Sequence, residues 1–329
     1  MGGTAREPLL AVRGLRVRFV TPRATLTAVD GIDFDVAPGE VLGLAGESGS
    51  GKSLTLRALL RLIRPPGRIE GEIRWRGRDL TRLPEPAMRR VRGGEIGVIF
   101  QEPMTALNPV LSVGLQIREN LEEHGDLDAA GRRARAIELL DHVGIPAAAS
   151  RVDDFPHQFS GGMRQRAMIA IALASEPQLL LADEPTTALD VTIQDQILKL
   201  ILRLRAELSM SVILVTHDLG VIAQTCDRLA VMYAGRVVES GPVAALLRRP
   251  RHAYTKALLS AVPRAGVVRQ PLASIPGQPP LLSALPAGCA FAPRCSLAVA
   301  ACSGQRPPLV EVAPGQWSAC LRHAEVARP

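Results

Sequence analysis

Hydrophobic positions change their spacing several times along the chain, and each change marks a predicted element. Leu15, Val17 and Phe19 alternate with Arg16 and Arg18, the period-two pattern of a half-buried strand. Residues 9–45 as a whole read as strands, with a turn at Pro38-Gly39. Val41-Leu42-Gly43-Leu44-Ala45 is a short unbroken apolar run, as in a strand buried on both faces. A helix is predicted from Lys52 to Ile63, ended by Pro65-Pro66-Gly67.

From residue 103 to 160 the texture turns helical. Asp128 caps a helix carrying Ile137, Leu140 and Val143 on one face, stopped by Gly144 and Pro146. Ser160 caps a second helix that runs to Ala174. This stretch reads as a helical insertion into an α/β core. The core resumes at Leu179-Leu180-Leu181-Ala182, a buried strand. A helix over 192–208 then places Ile193, Ile197, Leu200, Ile201 and Leu204 at helical spacing. Ser211–Val215 is another buried strand. Arg228–Tyr233 and Arg236–Glu239 form a hairpin turning at Ala234-Gly235. Six prolines from Pro263 to Pro286 make either a semi-rigid, extended linker or a surface-hugging arm, which separates the α/β core from a cysteine-bearing tail.

Composition narrows the function classes. The 329 residues are 47% hydrophobic and 22% charged, a globular balance with room for about two domains. The net charge is +7, but only ten residues are aromatic, too few for a protein that binds nucleic acid by stacking bases. No nucleic-acid partner is expected. The longest apolar run, Ala167 to Ala174, is eight residues, well short of the ~18 of a membrane span. Met1-Gly2-Gly3-Thr4-Ala5-Arg6 lacks the apolar core of a signal peptide. The chain is expected on the cytoplasmic side, with any membrane association peripheral.

The strongest local signal is Gly46-Glu47-Ser48-Gly49-Ser50-Gly51-Lys52-Ser53. It fits G-x-x-x-x-G-K-[ST] and sits between a predicted strand and a predicted helix. Glycines let the backbone fold into a nest of N–H groups around phosphates, and the helix N-terminus adds partial positive charge. Lys52 is placed to reach the β- and γ-phosphates, and Ser53 to ligate Mg²⁺. Asp183-Glu184 ends the strand at 179–182. An acidic pair there is as readily a helix cap; with the phosphate loop upstream, Asp183 becomes a Mg²⁺ residue and Glu184 the group that polarises the attacking water.

With these come Phe159-Ser160-Gly161-Gly162-Met163-Arg164-Gln165, and here the chain resembles the ATP-binding-cassette (ABC) ATPases. The heptapeptide looks like the family's signature motif, with Met163 where Gln is usual, a departure shared by peptide-importer members. The resemblance implies a P-loop NTPase cassette: a RecA-like α/β core, an antiparallel β subdomain, and a helical signature subdomain over about residues 103–176. It also implies a head-to-tail dimer with a second, homologous ATPase, each ATP lying between one subunit's phosphate loop and the other's Ser160, Gly161, Gly162 and Met163. Gln101 resembles the Mg²⁺-sensing glutamine and Ala188-Leu189-Asp190 the loop at the dimer interface. His217 resembles the switch histidine, although a histidine at a strand end is often structural. Phe19 sits where an aromatic ring stacks on adenine, with a core role the alternative. Gly46 to Ser53 as a set would bind the nucleotide, and Lys52, Glu184 and His217 would serve catalysis.

The branch is indicated by Gln101-Glu102-Pro103-Met104-Thr105-Ala106-Leu107-Asn108-Pro109 and His252-Ala253-Tyr254-Thr255-Lys256, similar to dipeptide/oligopeptide importer ATPases. So are Ile275-Pro276-Gly277, Gly288-Cys289-Ala290-Phe291 and Arg294-Cys295. The chain then divides into a cassette over 1–262 and an importer-type extension over 263–329. Importers of this branch imply two membrane-spanning permease subunits and an extracytoplasmic solute-binding protein, with peptides, nickel or glutathione as cargo. Soluble cassette ATPases acting on DNA or ribosomes usually carry two cassettes or a long coiled coil, and neither is present. The tail argues against an exporter.

Cys226 stands alone, whereas Cys289, Cys295, Cys302 and Cys320 follow C-x5-C-x6-C-x17-C. Structural zinc favours tighter knuckles, and four thiolates ligate a 4Fe–4S cluster, which some importers of this branch carry here. Zinc, four buried thiols and disulfides stay open as alternatives. Arg294 would either offset thiolate charge or sit solvated.

Overall fold

The computed structural model describes residues 7–22, 24–101, 106–187, 189–261 and 274–328. In chain order the strands are β1 (Leu10–Val20), β2 (Thr25–Val36), β3 (Val41–Ala45), β4 (Gly67–Trp75), β5 (Arg78–Asp79), β6 (Ile96–Ile99), β7 (Leu179–Asp183), β8 (Ser211–Val215), β9 (Arg228–Tyr233), β10 (Arg236–Pro242), β11 (Val310–Ala313) and β12 (Gln316–Ser318). The helices are α1 (Lys52–Leu59), α2 (Glu85–Val91), α3 (Val113–His124), α4 (Ala129–His142), α5 (Ala148–Arg151), α6 (Gly161–Leu173), α7 (Val191–Leu208), α8 (Leu219–Thr225), α9 (Val243–Arg248), α10 (Ala253–Ser260), α11 (Ala300–Gly304) and α12 (His323–Val326). They fall into two compact units. One holds residues up to 36, 41–81 and those from 216 on; the other holds 37–40 and 82–215.

In the first unit, β1 lies between β2 and β4 and runs antiparallel to both. Val17 faces Val29 on one side and Ile69 on the other. Leu10, Val12, Leu15 and Val17 are all buried, although Val12 and Leu15 are three apart. A bulge reconciles them. Gly14 takes φ 57, the register shifts between Val12 and Leu15, and the buried face resumes in phase. Beside this sheet, β3 pairs in parallel with β9, and β9 turns into β10 through Ala234 and Gly235, both at positive φ, the mirror-image turn that suits hairpin twist.

The tail does not stand apart. β10 pairs antiparallel with β12, and β12 with β11, so the last strands extend the same sheet. Polar stitching backs this up. Glu239, fully buried, accepts N–H bonds from Arg251 (2.7 Å) and His252 (2.9 Å) and one from Gln316 Nε2 (3.0 Å). Gln316 also reaches the Arg249 carbonyl, and Ser318 Oγ the Arg251 carbonyl. Tyr233, Tyr254 and Phe291 pack as a trio with centroids 4.6–5.4 Å apart, each pair adding about 0.5–1.5 kcal/mol beyond area burial.

The second unit centres on the parallel strands β8, β7 and β6, each a run of apolar residues. Between β6 and β7 the chain is helical, α3 to α6. Asp128 caps α4 by accepting the Gly131 N–H, and Ser160 caps α6 by accepting that of Met163. Ile197, Leu200, Ile201 and Leu204 line the buried side of α7. Among the described residues no helix is long and apolar enough to cross a membrane.

One expected boundary is wrong. The helix after the phosphate loop ends at Leu59, not at Ile63. Arg61 takes φ 54, its N–H bonds to the Ala58 carbonyl, and the Leu62 N–H reaches back to Arg57. This left-handed stop closes the helix a turn before the prolines. Pro263, inside the proline arm, lies outside the described residues.

His252 is fully buried, and its Nδ1 accepts the Tyr254 N–H at the start of α10. Burial pushes its pKa down to about 4. The unfolded imidazole gains a proton below about pH 6.5 and the folded one does not, so the stability that this histidine confers is whole above pH 6.5 and drains as pH falls toward 4. His252→Asn keeps a capping acceptor without a titrating ring. Between pH 7 and 5, urea unfolding of the wild type should lose about 2 kcal/mol more stability than that of His252→Asn.

Candidate functional site

The phosphate loop connects β3 to α1. Gly46 has φ 150, and a Cβ there would lie 2.2 Å from the Met232 carbonyl oxygen; at Gly51, φ 103, it would lie 2.9 Å from that of Ala28. Neither position accepts a side chain, so the loop presents bare backbone. Gly51 supplies no side-chain cap to α1, which leaves the first amides of the helix open to an anion. Lys52 is 5% exposed. Its ammonium donates to the carbonyls of Gly46 (2.7 Å) and Glu47 (3.0 Å), which hold the side chain folded back over the loop. Ser53 follows on the same helix. In the same unit His217 lies exposed, just ahead of Asp218, whose carboxylate caps α8. Phe19 is half-buried near the end of β1, opposite Gly67 on β4 and Leu26 on β2.

In the second unit β7 ends at buried Asp183. Glu184 then takes φ 47, and its N–H bonds to the Val215 carbonyl at 3.0 Å. That left-handed step turns the carboxylate off the strand. Its Oε2 accepts from Thr187 Oγ1 (2.9 Å) and Gln101 Nε2 (3.3 Å). Gln101 and Glu184, 83 residues apart, are thus brought together. Thr187 was missed in the sequence, where its only signal is a hydroxyl three residues after Glu184.

The signature residues open α6. Gly161 is exposed, and a Cβ there would meet nothing closer than Leu189 at 3.6 Å; at Gly162 it would press on Ile193 at 3.0 Å. Packing therefore explains Gly162 but not Gly161. Asp190 Oδ1 accepts the Ile193 N–H and caps α7. Ala188 and the stretch Glu102–Thr105 lie outside the described residues.

All five cysteines are free thiols, so the disulfide alternative falls. Cys289, Cys295, Cys302 and Cys320 line one small cavity with His252, Phe291 and Arg322. Burial pushes the thiols of Cys289 and Cys295 up, and that of Cys320 to about 11. Neighbouring backbone N–H groups, of Phe291 and Ala292 at Cys289, of Leu297 at Cys295 and of Arg322 and Ala253 at Cys320, offset part of that rise. Among the described residues, however, no three His, Cys, Asp or Glu side chains converge tightly enough to hold a metal ion. Zinc has no ready-made site, and the expected cluster ligands share a cavity without forming a closed ligand set. Cys226 is separate, packed under Gly43 with its thiol pushed up to about 11.

Arg294 departs from both readings of it. It is neither solvated nor the cation beside the thiols. The guanidinium that acts on Cys295 is that of Arg322. Arg294, with its side chain 6% exposed, makes a two-point ion pair with Glu47 of the phosphate loop at 2.7 and 3.0 Å. Tyr254 joins it by accepting the Glu47 N–H at 2.7 Å. Nothing in the local sequence foretells these partners, which are more than 200 residues from Glu47.

The family model described as "ABC transporter" matches residues 29–187, and the one described as "Oligopeptide/dipeptide transporter, C-terminal region" matches 238–302. A protein of Brucella melitensis biotype 1, provisionally named a peptide import ATP-binding protein, is 51% identical over 98% of this chain and 99% of its own. The chain belongs to the ABC transporter ATPases. Among solved structures, the ATP-binding cassette MJ0796 in a dimeric post-hydrolysis state with ADP and Pi superposes with TM-score 0.64 and 28% identity, covering 71% of this chain and 98% of that one. CbiO1 from Clostridium perfringens, part of the ABC transporter complex cbiONQ, superposes with TM-score 0.62 and 28% identity, covering 73% and 91%.

For an ABC ATPase the nucleotide is ATP with Mg²⁺, hydrolysed to ADP and phosphate, and in the candidate phosphate loop Gly46 and Gly51 leave no room for a Cβ. Gly46→Ala forces a Cβ against the Met232 carbonyl and should weaken Mg·ATP binding at least roughly tenfold by titration calorimetry. Gly39→Ala, also at positive φ but with no neighbour within 4 Å and outside the loop, should leave that affinity unchanged.

Proposed function

We propose that this chain is the ATP-hydrolysing subunit of an importer for dipeptides and oligopeptides. The observation that carries this reading is the near-full-length likeness to a protein named for peptide import, joined to an oligopeptide/dipeptide transporter C-terminal region. The subunit works from the cytoplasmic face of the cell membrane. It pairs with a second, homologous ATPase and docks on two permease subunits through the helical insertion and the Gln101 segment, while a solute-binding protein delivers cargo outside.

Catalysis rests on positioning and charge. Lys52 exchanges its loop carbonyls for the β- and γ-phosphates, and Ser53, Gln101 and Asp183 hold Mg²⁺. Glu184, oriented by Thr187, takes the proton of the attacking water while His217 reads the γ-phosphate. Phe19 stacks on adenine. Ser160, Gly161, Gly162 and Met163 face the partner's ATP across an interface that includes Asp190. The room beside Gly161 supports this, since no contact among the described residues demands a glycine there. In the tail, Cys289, Cys295, Cys302 and Cys320 hold a 4Fe–4S cluster. Their shared cavity, and backbone N–H groups that favour the thiolate form of three of them, suit thiolates bound to iron. The cluster supplies a structural staple or a redox sensor, not catalysis.

Glu184→Gln should lower ATP turnover roughly 10²–10⁴-fold and trap an ATP-bound dimer with the partner ATPase, seen by size-exclusion chromatography. It should also abolish uptake of labelled di- and oligopeptides by cells. Undiminished turnover would remove Glu184 from its role, and loss of nickel or glutathione uptake in place of peptide uptake would reassign the cargo. Protein purified without oxygen should carry about four irons and four sulfides per chain, lost in Cys289→Ser/Cys295→Ser. Stoichiometric zinc, or no metal, would refute the cluster and leave the ATPase reading intact.

A further inference from the structure

The ion pair between the tail and the phosphate loop carries an inference of its own. A carboxylate is an awkward guest in a loop that must receive a polyanion. Glu47 is in that position, because its backbone carbonyl accepts from Lys52, the residue meant for the phosphates. Its side chain is about three-quarters buried, so water screens its charge poorly. Arg294 cancels that charge at two points. Every other donor of Arg294 in use is also committed. Nε donates to the Pro276 carbonyl at 2.8 Å and Nη1 to Tyr233 Oη at 3.2 Å, and the guanidinium lies 5.9 Å from the ring centres of both Tyr233 and Phe291. The guanidinium is therefore built in, aimed at one carboxylate by a two-point geometry that lysine does not reproduce. Tyr254 restrains the same residue through its N–H. Glu47 is thus fixed at backbone, carbonyl and carboxylate, and two of the three restraints come from beyond residue 250.

We propose that Arg294, in the C-terminal extension, is a positioning residue of the nucleotide site, neutralising and orienting Glu47 so that the phosphate loop accepts Mg·ATP. The extension is then a working part of the ATP site and not only an appendage. This rests on ATP as ligand and on nothing about cargo or cluster, and binding of Mg·ATP by the wild-type chain is the control that separates the two questions.

The test is a charge cycle on the full-length chain, with Mg·ATP affinity measured by calorimetry and KM and kcat by phosphate release. Arg294→Met leaves the Glu47 carboxylate unpaired and should weaken Mg·ATP binding roughly tenfold, with the loss in KM far more than in kcat. Arg294→Lys should fall between the two. Glu47→Gln removes the offending charge, so Arg294→Met/Glu47→Gln should recover most of the affinity that Arg294→Met loses. A support that only holds the fold would leave the double variant as weak as Arg294→Met, or spread the loss over kcat and melting temperature; either result overturns the proposal, as does an Arg294→Met chain with wild-type KM. If Arg294→Met does not fold, Tyr254→Phe takes its place. It removes the acceptor of the Glu47 N–H and should raise KM severalfold, and an unchanged KM there counts equally against the proposal.

Discussion

The loop from Gly46 to Ser53 shows backbone and few side chains, and that bareness is imposed by contact with neighbouring strands. At Gly46 the backbone passes so near the Met232 carbonyl that a Cβ would overlap it, and at Gly51 it lies against Ala28 in the same way. The loop is thus moulded by β9 and β2, not merely permitted by its glycines. Lys52 then lies over the moulded backbone, holding two of its carbonyls. Under the reading proposed above, a nucleotide would displace those contacts and offer the ammonium strong anionic acceptors in place of weaker neutral ones.

The C-terminal extension follows from the same constraint. A free module on a proline-rich arm would be expected to move independently of the cassette. Instead β11 and β12 complete a sheet, buried Glu239 collects donors from three directions, and the Tyr233, Tyr254 and Phe291 rings close over the join. Burying a carboxylate is costly unless its hydrogen bonds are supplied, and here they come from the segment before α10 and from β12. The carboxylate therefore fixes the tail's register as well as its attachment. Cys289 and Cys295 pack against the cluster that holds these rings, and all four cysteines line a cavity that His252 also lines, so the thiols and the Gly46–Ser53 loop are tied to one aromatic cluster.

Much of the fold was legible because its signals are local. The apolar runs at 41–45, 179–182 and 211–215 are strands, since a strand buried on both faces must be apolar throughout. Asp128 and Ser160 each cap the helix expected to follow, because a cap is decided within four residues; Asp190 caps α7 as well, a role the sequence reading did not give it. Leu59 shows where local reading fails. Prolines downstream looked like the stop, but a left-handed Arg61 ended the helix earlier, and no rule of composition marks an arginine for that conformation.

By itself, the sequence determined that the glycine-rich stretch 46–53 joins a strand to a helix, that Asp183 ends β7 and that Ser160 caps the helix opened by Gly161 and Gly162, because each is a pattern of neighbours. Only the tertiary structure decided that Gln101 and Thr187 meet at Glu184, and that Arg294 turns away from the cysteines toward Glu47. It also decided that the thiols share a cavity without closing on a single ion. Those outcomes depend on contacts across tens to hundreds of residues. A charged side chain finds its partner through which strands pair and which helices pack, and one arginine reads alike in sequence whether it faces water, sulfur or a carboxylate.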